Sequence, residues 1–294
     1  MSRIPHRTAR SAVPALPPGL LAGLLLGLFA GLFVELSLAA PAQAGLRRAM
    51  PFAPGERLVF DISWTVFHAG EAELEVLPFT DVNGTAAAHF RATARSSEFI
   101  DTFYKVRDAI ESCTDPGVDR TLAFEQHQRE GDYERDIRLD FAWDRNGTQA
   151  GPGPGGVDRF GRQGFKQHIA LPGDCLDPLS VLYHFRTHYL FLDKLVSGLV
   201  TDGKKLTTGQ GRVIGRETVT VPAGTFDCWV VVPDTHEVGG VFAKSPGAVV
   251  TLWFSADERR IPVKMSTRVV IGSVVLELVR LEGAPAPAAP AAAP

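Results

Sequence analysis

The sequence predicts a mainly β protein, a strongly curved antiparallel sheet or partly closed β-barrel crossed by one α-helix at about 178–193. Three observations carry this: period-2 alternation recurs between residues 57 and 143, a second series of strand patterns fills 213–281, and one segment between them has helical spacing. A two-sheet β-sandwich is the alternative.

The first 44 residues read as a signal peptide. Arg3, His6, Arg7 and Arg10 form a basic start, Leu20 to Val34 an apolar run, and Ala42-Gln43-Ala44 supplies small residues for cleavage between Ala44 and Gly45. A retained transmembrane helix is not expected. Glu35 and Pro41 interrupt the only stretch long enough, and a charge inside a spanning helix costs about 2.5–3.5 kcal/mol. No cysteine near this cut offers a site for lipid attachment.

Without Arg3, Arg7, Arg10 and Glu35, Lys+Arg falls from 30 to 27 and Asp+Glu from 33 to 32, a net charge of −5. Such mild acidity gives no electrostatic footprint for nucleic acid. The Ala/Pro run of 283–294 buries almost nothing and is expected to be a disordered tail. Residues 45–282 then form a single β-rich domain.

Leu58, Phe60, Ile62, Trp64 and Val66 alternate with Arg57, Asp61, Ser63 and Thr65. After a turn at His68-Ala69-Gly70, Ala72, Leu74 and Val76 alternate with Glu71, Glu73 and Glu75, which makes a hairpin with one buried and one wet face. Asn83-Gly84 is the next turn, and Phe90, Ala92 and Ala94 form another inward row. From Tyr133 to Trp143, one face carries Tyr133, Ile137, Leu139, Phe141 and Trp143, and only Arg135 breaks it. Asp177-Pro178 is a helix start, followed by Leu179, Leu182, Tyr183, Phe185, Arg186 and Tyr189. Later strands are expected at Val213–Ile214, 217–221, 226–232, 249–254, 263–270 and 272–281, with turns at Pro222-Ala223-Gly224 and a solvated tip at Asp257-Glu258-Arg259-Arg260.

Six blocks, in order, resemble a known family. They are Pro51-Phe52-Ala53-Pro54-Gly55-Glu56-Arg57-Leu58, His68-Ala69-Gly70, Asp177 to Tyr183, Val221 to Cys228, Trp253 to Asp257, and Arg260 to Met265 closing on Ile271-Gly272-Ser273-Val274. Over roughly residues 51–281 the chain resembles the bacterial exported family known as domain of unknown function 3108. The resemblance implies a β-rich protein of the Gram-negative envelope, periplasmic or outer-membrane-associated, and carries over no catalytic residue.

Candidate chemistry starts with Cys113, Cys175 and Cys228. In an oxidising compartment three cysteines suggest one disulfide and an odd thiol, and Cys113 with Cys175 is the favoured pair, because a strand end and a loop adjust to disulfide geometry. His184 and His188 share a helix face and are candidate metal ligands, with His168, Asp174 and Asp177 near in sequence. The glutamate that zinc peptidases place after the first histidine is missing, so solvated histidines are the plainer reading and no metal or other cofactor is expected.

Ser180, Asp177 and His184 or His188 would be the elements of a hydrolase, but no Gly-x-Ser-x-Gly elbow is present, and Ser180 is better explained by helix capping. Gly151 to Gly156 lacks the Lys-Ser/Thr ending of a phosphate loop and reads as a hairpin loop.

The function expected is a non-enzymatic envelope role. A lipid or glycan ligand would sit in the concave face against Phe60, Trp64, Phe90, Phe141, Trp143 and Trp253, unless those aromatics are simply core. The alternatives are an envelope hydrolase, and a scaffold or assembly factor that contacts an envelope protein partner through an edge strand and the Pro/Ala tail.

Overall fold

Short alternating segments separated by tight turns pair with their sequence neighbours, and here that rule holds along nearly the whole chain. The computed structural model describes residues 50–143, 155–234, 250–268 and 272–285. The expected signal peptide with its Ala44/Gly45 cut, residues 151–154 of the glycine-rich segment and the tail beyond residue 285 lie outside the described residues.

The strands are β1 (Arg57–Trp64), β2 (Phe67–Val82), β3 (Thr85–Ser96), β4 (Arg107–Thr114), β5 (Thr121–Glu130), β6 (Tyr133–Trp143), β7 (Gly155–Gly161) and β8 (Gly164–Leu171). They continue with β9 (Cys175–Leu176), β10 (Leu195–Thr201), β11 (Leu206–Val221), β12 (Gly224–Pro233), β13 (Val250–Ser255), β14 (Pro262–Arg268) and β15 (Ser273–Glu282). Helix α1 (Glu98–Asp101) is a single turn, and α2 (Ser180–Thr187) is the expected helix.

All fifteen strands form one sheet in the order 8-7-6-5-4-3-2-1-15-14-13-12-11-10-9. Every pairing is antiparallel except the short β9–β10 pair, and the sheet wraps into a nearly closed barrel shape. The first and last strands pair at its centre, with Phe60 opposite Leu278 and Ile62 opposite Leu276. Across the seam, the Gln167 side-chain amide on β8 donates to the Lys204 carbonyl in the β10–β11 turn, 3.0 Å away.

Three expectations need correction. The first hairpin turns at Thr65 and Val66, not at His68-Ala69-Gly70, which lie in β2. Gly70 serves close approach to β3, since a Cβ there would stand 2.1 Å from the Arg95 carbonyl oxygen. Helix α2 is eight residues long, because the chain turns extended at His188 (ψ 148°) and leads on to β10. The Asp257 to Arg260 turn is not a solvated tip: Arg260 is 9% exposed, its Nε donates to the Arg186 carbonyl, and the Arg259 carbonyl accepts from Arg186. Asn83-Gly84 does turn as expected, with both φ values positive (53° and 80°).

The core lies inside the barrel, and α2 fills one end of it. Seven of the eight α2 residues are buried, so the helix must be surrounded by sheet. Its Tyr183 ring stacks on Phe90 of β3 at 3.9 Å, and Phe185 packs on Phe254 of β13 at 4.7 Å. Asp177 pins its start: Oδ1 accepts from the Leu179 and Ser180 amides (2.8 and 3.0 Å), and Oδ2 accepts from Ser112 on β4 (2.5 Å) and Thr121 on β5 (2.7 Å).

Arg186 pins its end. The guanidinium donates to both Glu56 oxygens (2.6 and 2.9 Å) and reaches the Pro51 carbonyl (3.3 Å), with both side chains essentially inaccessible. The barrel end where β1 begins is therefore closed by the helix.

Candidate functional site

At the opposite end, the inward positions change character. The β5 alternation turns Phe124, Gln126, Gln128 and Glu130 inward, all buried. On β4, Asp108 faces the same interior and accepts from the Arg129 amide at 2.8 Å. On β6, Arg135 sits opposite Gln128, and on β7 Arg159 sits opposite Leu139. The β10–β11 turn covers this wall so closely that a Cβ on Gly203 would stand 2.3 Å from Leu139 Cδ2 and 2.8 Å from Arg159 Cδ. Tyr104 reaches across from the loop after α1 and donates to Glu130 at 3.2 Å.

Four buried polar atoms on these strands have no hydrogen-bond partner among the described residues: Asp108 Oδ2, Gln126 Nε2, Gln128 Oε1 and Arg159 Nε. A buried polar group left unpaired costs about 1–3 kcal/mol, and native interiors rarely carry four on one wall. Burial pushes the Asp108 carboxyl up to about 8, opposed by the Arg129 amide bond and helped by the negative charge of Glu130 and a side-chain hydrogen bond with it. The charges of the other half of the wall are positive. Burial and the neighbouring Arg135 lower the Arg159 guanidinium, and Arg135, then burial, lower the Lys204 amine, with Asp202 opposing both. The lumen end thus has an acidic side, a band of amides and a basic side.

The aromatic residues proposed as a ligand face do not come together. Phe60 and Phe90 are buried, and Phe90 is covered by Tyr183 of α2. Phe141 and Trp143 stack on each other at 6.1 Å near the helix end, where the Trp143 indole donates to the Thr121 carbonyl at 2.7 Å. Trp64 is partly buried at the other end, beside Gly272. Trp253 points outward, away from its neighbours Leu252 and Phe254: Lys264 lies 6.0 Å from its ring centre, and its indole donates to Glu217.

The expected Cys113–Cys175 bridge is not formed, and all three cysteines are free thiols. Alternation explains this: Cys113 shares the outer face of β4 with Ala109 and Glu111, whereas Cys175 is wholly buried. Burial pushes Cys113 up to about 11, Cys228 up to about 12 and Cys175 higher still, which keeps all three protonated and poor as nucleophiles.

The His184 and His188 rings lie 4.7 Å apart, as their spacing requires, but His184 Nδ1 donates to the Val118 carbonyl at 2.5 Å. Among the described residues no group of three or more His, Cys, Asp or Glu side chains is placed to hold a metal ion. The Ser180 hydroxyl donates to the Asp177 carbonyl at 3.1 Å and Asp177 is occupied by capping, so these two of the residues considered for a hydrolase are used in holding α2. A groove of about 350 Å³ runs along the outer wall of β2–β4, but its arginines are already paired, Arg95 with Glu71 and Arg107 with Asp101.

Sequence reasoning singled out Arg135 as a break in an apolar face and missed Asp108, Gln126, Gln128 and Arg159. The signal available was the spacing of Gln126, Gln128 and Glu130, three polar residues at strand period.

A family described as protein of unknown function (DUF3108) matches residues 59–279. No curated protein matches the chain significantly. Among solved structures, a β-barrel-like protein of domain of unknown function DUF1849 from Brucella abortus is similar over 80% of this chain and 98% of its own, with 11% identity and a TM-score of 0.47. A protein from Bacteroides fragilis described as exported, with a YmcC-like fold, covers 79% of this chain and 97% of its own at 10% identity and TM-score 0.34. A protein from Parabacteroides distasonis described as a lipoprotein gives the same coverage at 12% identity and TM-score 0.32. Among the described residues no helix is long and apolar enough to cross a membrane.

Proposed function

The chain belongs to the DUF3108 family, and from that premise and the lumen just described we propose that it is a non-enzymatic cell-envelope protein, exported to the periplasm, that binds a polar, glycan-type ligand in the barrel end opposite α2. One observation carries the reading: Asp108 Oδ2, Gln126 Nε2 and Gln128 Oε1 are buried side by side with hydrogen-bonding capacity unused. Carbohydrate hydroxyls both donate and accept, which matches a wall that offers amide donors, amide acceptors and a carboxyl. The apolar half of the concave face, the other place for a ligand, is occupied by Tyr183 and Phe185. Export rests on the basic start, apolar run and Ala42-Gln43-Ala44 of the leader.

Saturation-transfer NMR of the purified protein with neutral cell-wall oligosaccharides tests it. Transfer to sugar protons that disappears in Gln126→Leu and Gln128→Leu is expected. If these variants only gain thermal stability and neither they nor the parent transfers magnetisation to any sugar, the buried amides are structural and the reading falls.

A scaffold role has its own observation. Val66, Phe67, Phe99 and Phe103 are all well over half exposed at this same end, where α1 is tied to β2 by the Ser97 amide and the Ala69 carbonyl (2.9 Å). Pull-down partners lost on Phe99→Ser and Phe103→Ser would favour it.

A further inference from the structure

Three cations lie towards the barrel end opposite α2. Arg135 and Arg159 project from the inner faces of β6 and β7, and Lys204 belongs to the turn packed against Arg159. Many arginines of this barrel are paired, among them Arg57 with Glu73, Arg91 with Glu75, Arg129 with Asp136 and Arg216 with Asp227, whereas Arg212 and Arg280 stand exposed to solvent. Among the described residues, Arg135, Arg159 and Lys204 have no such salt bridge. Asp202, whose charge opposes the lowering of Arg159 and Lys204, has its Oδ1 engaged by the Lys204 and Lys205 amides (2.9 and 3.2 Å).

Like charges gathered against a partly buried wall destabilise one another unless an anion joins them. One of the three, Arg159, has a buried Nε without a partner, and Gln126 on β5 carries a buried, unsatisfied amide donor, a combination with the form of a recognition site.

We propose that Arg135, Arg159 and Lys204 form an oxyanion-binding subsite at the barrel end opposite α2, so that the ligand carries a phosphate or carboxylate group. The inference rests on the binding reading above and specifies the charge of its ligand. An oxyanion would take the Arg159 Nε–H and the Arg135 guanidinium as charge-assisted donors, with the remainder of the ligand lying along the amides of β5. The groups facing it are Arg135, Arg159, Lys204, Asp202 and Tyr133 on the basic side, and Asp108 and Glu130 beyond the amides.

The test is calorimetric titration of the purified protein with inorganic phosphate, glucose 1-phosphate, glucuronate and glucose, at constant ionic strength in chloride. At least one anionic probe is expected to bind tenfold or more tightly than glucose, and Arg159→Gln and Arg135→Gln each to weaken it about tenfold or more. Phosphate and glucuronate separate the two anion types. Lys166→Gln, which removes an exposed cation from β8, is expected to leave binding unchanged and controls for net charge.

If glucose or a neutral oligosaccharide binds and the anions bind no better, the subsite is refuted while the glycan reading stands. If no probe binds, both fall. Unchanged anion affinity in a folded Arg159→Gln protein, checked by its circular dichroism and melting curve, also overturns the assignment.

Discussion

Asp108 is a carboxyl held inside a β-barrel with one oxygen on the Arg129 amide and Glu130 beside it. Its titration point, about 8 in the fold against 3.8 for the free side chain, makes it neutral in the folded protein and ionised in the unfolded chain between those limits. The folded state then binds the extra proton, so stability is greatest below about pH 4 as far as this group is concerned, and falls as pH rises towards 8. Asp108→Asn keeps the acceptor for Arg129 and removes the titration. Melting curves from pH 5 to 8 are expected to show the parent losing of order a few kcal/mol relative to the variant across that range. Parallel curves for the two proteins would mean that Asp108 is ionised in the fold.

The elements show what alternation reveals and what it hides. β1, β3 and β6 were legible because one face is apolar and the other polar, and Arg135 stood out on β6 for that reason. β5 was not, because polar residues occupy both faces: Glu125, His127 and Arg129 outside, Gln126, Gln128 and Glu130 inside. Hydropathy carries no sign of which side such a strand buries, and the candidate site lies on that strand. The Cys113–Cys175 pairing fails for a related reason, since the flexibility of a loop does not reveal which way a strand residue faces.

Helix α2 was legible from Asp177-Pro178, but its role as a plug depends on Glu56, 130 positions away in sequence, which no spacing announces. Arg186→Lys loses the two-pronged grip on Glu56 and leaves that carboxylate partly unpaired in the interior. A loss of about 3–5 kcal/mol is expected by urea unfolding, whereas Arg186→Lys combined with Glu56→Gln recovers part of it. Additive losses in the double variant would show that the two side chains do not act as a pair.

For the whole molecule, closure depends on the pairing of the two ends of the domain. β1 through β8 and β15 back through β9 are two runs of neighbouring strands, joined along the sheet, among the described residues, by the β1–β15 ladder, from Arg57 opposite Glu282 to Trp64 opposite Val274. Contacts so distant in sequence must overcome a large loop-closure entropy, so this ladder makes the fold all-or-none. A chain ending at residue 272 lacks β15 and leaves Leu58, Phe60 and Ile62, all buried in the intact sheet, beside an unpaired edge. It is expected to aggregate or to show no cooperative unfolding transition. Ending the chain at residue 285 removes only Ala and Pro beyond the last strand and should leave the melting temperature within about 1 °C of the parent, because these side chains offer little apolar surface. A cooperative transition in the chain ending at residue 272 would show that the first eight strands and α2 hold together without the β1–β15 ladder. The barrel would then be two units that dock, and the lumen end, walled by β4–β7 and covered by the β10–β11 turn, would be the interface between them.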